Sequence, residues 1–186
     1  MRRHYYHASG EENFVTVWGK LFCKKLFSDL RFRTGICFED IHLMPYWLLQ
    51  SEKVVLIPYA GYNYTQNENS IMHKTDEAHS TRLYKNAFVI WQEHLELYKQ
   101  RGLEDFENAV YCSIVNKVIA HSLAESIPNE MVRESLVLAH RYTKKLVWHT
   151  ALPVKQKLYF ALFSILGPKY FRSFMRMRSA HRSESD

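Results

Sequence analysis

Residues 17–27 read V-W-G-K-L-F-C-K-K-L-F, residues 31–41 read R-F-R-T-G-I-C-F-E-D-I, and residues 54–72 read V-V-L-I-P-Y-A-G-Y-N-Y-T-Q-N-E-N-S-I-M. The centre of this stretch is Phe38-Glu39-Asp40. From Glu39 onward Ile41, Met44, Leu48 and Leu49 recur at helical spacing, with Tyr46 and Trp47 beside them. The two carboxylates then fall in the first turn, where the helix dipole favours negative charge. Pro45 either kinks this helix or starts it afresh. Capping alone is one reading of Glu39 and Asp40; an ionised acid held in a pocket is the other.

Outward from this centre, Trp18 to Leu30 has helical spacing with a basic side, and Thr34-Gly35 turns the loop that follows it. Phe14 to Val17 reads as a short strand. Val54 to Ile57 is β-branched and apolar and reads as a buried strand ended by Pro58, and Ala60 to Thr65 as a second short strand with a polar and an aromatic face. Beyond residue 74 the pattern is helical throughout. Leu83, Ala87, Ile90, Trp91, His94, Leu95 and Tyr98 mark one long amphipathic helix, and Phe106 to Ile119 a second. Met131 to Leu146 marks a third, and Pro153 suits the first turn of a fourth that ends at Gly167-Pro168. Tyr170 to Arg178 follows as a short basic helix. The expected architecture is α/β: a mixed-sheet region over residues 1–74, then an α-helical region over residues 75–186.

Composition narrows the class. Six Gly and five Pro in 186 residues argue against a low-complexity chain, and 15% aromatic residues suit cores and stacking surfaces alike. Cys23, Cys37 and Cys112 are odd in number and widely spaced, and they read as free, buried thiols of a reducing compartment. The basic N-terminus lacks an apolar core and is no secretory signal. The longest apolar run, Leu158 to Leu166, falls far short of the roughly 20 residues that span a bilayer. The expected location is therefore the cytoplasm.

The net charge of +6 is concentrated at one end: residues 140–186 hold 10 Lys+Arg against 2 Asp+Glu. Lys155 to Arg178 interleaves basic residues with Leu158, Tyr159, Phe160, Leu162, Phe163, Ile165 and Leu166. That pattern suits a helix lying in a membrane interface, a peripheral contact on the inner face of the cell membrane through residues 155–178. A helix packing its apolar face on the body is the other reading. With no recognisable module and no basic stripe in the body, nucleic acid is not an expected partner.

The order W-G-K-L-F, then R-F-x-x-G-x-x-F-E-D-I, then Y-x-Y and N-S-I resembles the C-terminal half of family-2 glycosyltransferases with the GT-A fold, bacterial enzymes of capsule and lipopolysaccharide synthesis among them. The resemblance implies an inverting transfer from a nucleotide-sugar donor to a glycan or lipid-linked acceptor. It gives Asp40 the role of general base toward the acceptor hydroxyl, and it has Glu39 orient the acceptor or Asp40. Trp18 and Lys20 match a W-x-K element beside the acceptor and diphosphate. Tyr64, Asn69 and Ser70 match a loop that closes on the donor. A basic residue common after the second tyrosine is replaced here by Thr65-Gln66.

The resemblance also implies a divalent cation, Mg or Mn, with His73 as a candidate ligand. The family's Asp-x-Asp metal motif is absent from this sequence, as is a Gly-rich phosphate loop. The expectation is a truncated transferase that lacks the donor-binding half. The alternative is a non-catalytic remnant, or a helical protein- or membrane-binding module.

Overall fold

The structure, a computed structural model, describes residues 15–65, 67, 76–123, 129–148 and 152–183; within the helices, side chains at 120–123, 129–134, 168, 169, 172 and 175–183 are left undescribed. The chain forms two compact units, Met1–Gln100 and Arg101–Asp186.

In the first unit, a 3-10 turn at Lys24–Phe27 leads to helix α1, Glu39–Gln50. Pro45 stands inside α1 without ending it. The long helix α2, Glu77–Gln100, packs against α1. It is capped by Asp76, whose Oδ1 accepts from the His79 N–H at 2.8 Å. The core of this unit is Leu26, Leu43, Met44 and Trp47, with Val15, Val17, Phe22, Phe27, Leu30 and Leu48 around it.

Trp47 explains why residues 18–30 are not the helix their spacing suggests. Its indole N–H donates to the Leu26 carbonyl at 3.0 Å. The rings of Phe22, Phe27 and Phe32 pack on it at centroid distances of 4.8, 4.9 and 5.4 Å. The apolar residues of this segment thus wrap one indole rather than line one helix face. Gly19, at φ +69°, turns the backbone at its start.

The α/β expectation is overturned. Among the described residues there is no strand and no sheet; the fold is helical. Residues 15–17 turn, and residues 54–65 run without regular structure. The β-branched composition of Val54–Ile57 favours an extended chain, but a strand exists only by pairing with another. Here the side chains are exposed, Leu56 by 88%. The described main-chain bonds of the stretch are local, from the Tyr59 N–H to the Ile57 carbonyl and from the Gly61 N–H to the Tyr59 carbonyl.

The second unit packs α3 (Glu104–Leu123), α4 (Asn129–Leu146) and α5 (Val154–Ser183) on one another. Val110, Ile114, Val115, Val118 and Ile119 of α3 meet Leu136, Ala139 and Leu146 of α4 and Phe160, Phe163 and Phe171 of α5 in its core. Gly167, at φ 70° and ψ 170°, breaks α5 into two lengths, where the sequence places a helix end. All three cysteines are free, but only Cys112 is buried; Cys23 is exposed and Cys37 intermediate. The expectation of buried thiols therefore fails at Cys23, whose segment carries Lys24 and Lys25 on the surface.

Candidate functional site

Helix α1 begins without a side-chain cap. Its N-cap residue, Phe38, has φ +65°, the left-handed region that a bulky side chain rarely enters, while its carbonyl accepts from the His42 N–H at 2.9 Å. Glu39 and Asp40 follow as the first two helical residues. The Asp40 carboxylate takes up one of the unpaired N–H groups of the helix start, its Oδ1 accepting from the Ile41 N–H at 2.7 Å.

Burial raises the Asp40 carboxyl above the ordinary carboxylate range. The Ile41 N–H opposes this shift, neighbouring Glu39 adds to it, and Lys20 opposes it again. Lys20 shows the other side of that coupling: burial lowers its ammonium and the Asp40 charge draws it back up. Its Nζ donates to the Thr16 carbonyl at 2.6 Å. A half-buried carboxylate opposite a half-buried ammonium is suited to holding and releasing a proton near a polar ligand.

Trp18, two residues before Lys20, stacks on Tyr62 at 5.3 Å with 19° between the planes, and on Tyr64 at 5.0 Å with 32°. Both tyrosines are more than half exposed. The three rings form an aromatic wall of the kind that stacks on the apolar face of a sugar. Asn69, Ser70 and His73 lie outside the described residues. The structure therefore brings together Trp18 with Tyr64, and Lys20 with Asp40, and it adds Tyr62, to which the sequence reading gave no role.

Sequence reasoning missed a second group, which joins the start of α1 and the loop before it to α2. Glu93 of α2 accepts from Arg33 Nη1 at 2.8 Å through Oε1, and from His42 Nε2 at 2.7 Å through Oε2. The fully buried His94 donates from Nε2 to the His42 carbonyl at 3.0 Å. These partners stand 51 to 60 positions apart, and a helical pattern shows only that His94 faces the core.

Among the described residues, no three His, Cys, Asp or Glu side chains converge to hold a cation. His73, the candidate ligand of the divalent cation that the resemblance implies, is not among them. Among the described residues, no helix is long and apolar enough to cross a membrane.

Part of the chain is similar to a glycosyltransferase. The glycosyltransferase GlyA of Streptococcus pneumoniae serotype 4 (strain ATCC BAA-334 / TIGR4) is 33% identical over 96 residues, which cover 46% of this chain and 14% of that protein. The chain thus spans a small share of the length of its relative. No protein-family model matches the sequence, and no solved structure matches it.

Proposed function

We propose that this chain is the acceptor-side part of an inverting, family-2-type glycosyltransferase, with Asp40 as the general base. The observation that carries the reading is the setting of Asp40: a half-buried carboxylate at a helix start, coupled to Lys20. Partial burial raises proton affinity, and the helix dipole with Lys20 keeps the group ionisable, which is what a base needs near neutral pH. The similarity to a protein named as a glycosyltransferase supports the same direction.

In this reading the sugar of the acceptor glycan, or of a lipid-linked acceptor, rests on Trp18, Tyr62 and Tyr64. Its hydroxyl lies against Asp40. The carboxylate takes the hydroxyl proton as the oxygen attacks the anomeric carbon of the nucleotide sugar, and the nucleoside diphosphate leaves from the opposite face. Glu39 orients the acceptor or Asp40, and Lys20 supplies positive charge for a phosphate oxygen. The deciding experiment is Asp40→Asn in the complete enzyme, assayed for transfer from a nucleotide sugar. A loss of about 10²–10⁴-fold with the fold intact is expected, and retained turnover ends the assignment.

A peripheral contact with an anionic lipid surface is the second element of the proposal. Val154, Leu158 and Ile165 of α5 are 72%, 66% and 81% exposed, and they recur at helical spacing beside exposed Lys155 in the basic end of the chain. Anionic vesicles should pull the chain down in a salt-sensitive manner, and neutral vesicles should not. Equal behaviour toward both would sink it.

A further inference from the structure

The turn that delivers Asp40 is held from both sides by one helix. Upstream, Arg33 is bonded to Glu93 Oε1, and the Gly35 carbonyl accepts from Arg82 Nη2 at 3.4 Å. Downstream, the His42 ring is bonded to Glu93 Oε2, and the His42 carbonyl to His94. Arg82, Glu93 and His94 all belong to α2. Between these anchors lie Gly35 at φ +81° and Phe38 at φ +65°. A left-handed conformation at a non-glycine residue is strained and persists where its surroundings over-determine it.

The chemistry of His42 fixes how the clamp is wired. A carboxylate oxygen only accepts, so Nε2 carries the proton. Nδ1 is buried and has no hydrogen-bond partner among the described residues. Glu93 thus holds the two groups through separate oxygens, Oε1 for Arg33 and Oε2 for His42. The Arg33 and Glu93 side chains are 50% and 36% exposed, and pairs of that kind contribute little to global stability. Their consequence is local geometry.

We propose that Glu93 is a positioning residue for Asp40: its one carboxylate ties Arg33, before the left-handed Phe38 turn, to His42, after it, and so keeps the Asp40 carboxylate in its half-buried place. The catalytic meaning of this clamp rests on the reading of Asp40 as the base; the clamp itself does not.

The test is therefore run without substrate. The Asp40 side-chain carboxyl is titrated by ¹³C NMR in the full chain, in wild type, Glu93→Gln and Arg33→Gln, with Glu52→Gln as control. Glu52 forms an exposed ion pair with Lys25 at 3.1 Å in the same unit, away from the Phe38 turn. Glu39 and Lys20, the charged groups coupled to Asp40, are present in every variant. Releasing the turn rehydrates Asp40, so both clamp variants should shift its titration midpoint to lower pH, with melting temperatures near wild type. The Glu52→Gln midpoint should stay in place. An unmoved midpoint in the folded clamp variants overturns the proposal, and so does an equal shift in the control. Arg33→Gln keeps the test decisive if Glu93→Gln does not fold. Transfer activity retained in Asp40→Asn would remove the base and leave this result standing.

Discussion

The imidazole of His94 donates from Nε2 to the main-chain carbonyl of His42 at 3.0 Å, and the ring is wholly buried between α1 and α2. Burial pushes its protonation down to about 4, against 6.5 for a free side chain. Above pH 6.5 the ring is neutral in both folded and unfolded chains, and its contribution to stability is complete. Between 6.5 and about 4 the unfolded chain binds the proton first, so stability falls as pH falls. The loss is on the order of 3 kcal/mol across that window. Urea unfolding of wild type and His94→Gln at pH 7 and pH 4.5 reads it. The wild type should lose more than the variant, and parallel losses would show that another group carries the acid sensitivity.

Trp47 is the residue around which the first unit closes. Trp47→Ala removes the wall shared by Phe22, Phe27 and Phe32 and should cost roughly 3–5 kcal/mol. Trp47→Phe keeps much of that packing but leaves the Leu26 carbonyl without its indole donor, for about 1–3 kcal/mol. Chemical denaturation followed by circular dichroism separates the two. A Trp47→Phe variant as stable as wild type would mean that the hydrogen bond contributes nothing, and equal losses in both variants that the ring packing contributes nothing beyond it.

Asp40 should show the opposite of a structural carboxylate. Its folded-state proton affinity is raised, so ionisation works against the fold and stability declines as pH rises through the folded value. At pH 7 Asp40→Asn should therefore melt at or above wild type while transfer is lost. In the complete enzyme the acidic limb of kcat/KM should sit above the ordinary carboxylate range. A variant that melts well below wild type would make the carboxylate a structural cap.

The helices were legible because burial repeats along them: Ile90, His94, Leu95 and Tyr98 all prove buried in α2, in the register that their spacing indicates. The two lengths of α5 were legible at Gly167-Pro168 for the same local reason. What failed was everything that depends on a distant partner. Val54–Ile57 has the composition of a strand, and nothing in those four residues says whether a neighbouring strand exists. The aromatic residues of 18–30 fit a helix face as well as they fit the surroundings of Trp47. Asp40, Trp18, Lys20 and Tyr64 were singled out as candidates by their order along the chain, whereas Arg33, His42 and Glu93 meet only after α2 has packed on α1.

The cysteines make a direct check on burial. Burial pushes the Cys112 thiol up to about 12, so its reactive thiolate is scarce near neutral pH. N-ethylmaleimide should modify Cys23 on the native chain and reach Cys112 only on unfolding. Mass spectrometry of timed samples gives the order, and early loss of Cys112 would place it in an opening part of the second unit.

The uncovered, irregular run from Val54 to Tyr64 also decides where this chain is vulnerable. Proteases bind their substrates as extended backbone, and an exposed apolar segment without ladder partners already has that shape. A single nick near Leu56 would leave Trp18, Lys20 and Asp40 on one fragment and Tyr62, Tyr64 and all of α2 on the other. The halves would be held by the contacts of Glu93 and His94 with α1 and the loop before it. A nicked chain that stays associated through gel filtration and separates at acid pH would be a two-piece protein whose joint is the α1–α2 pairing.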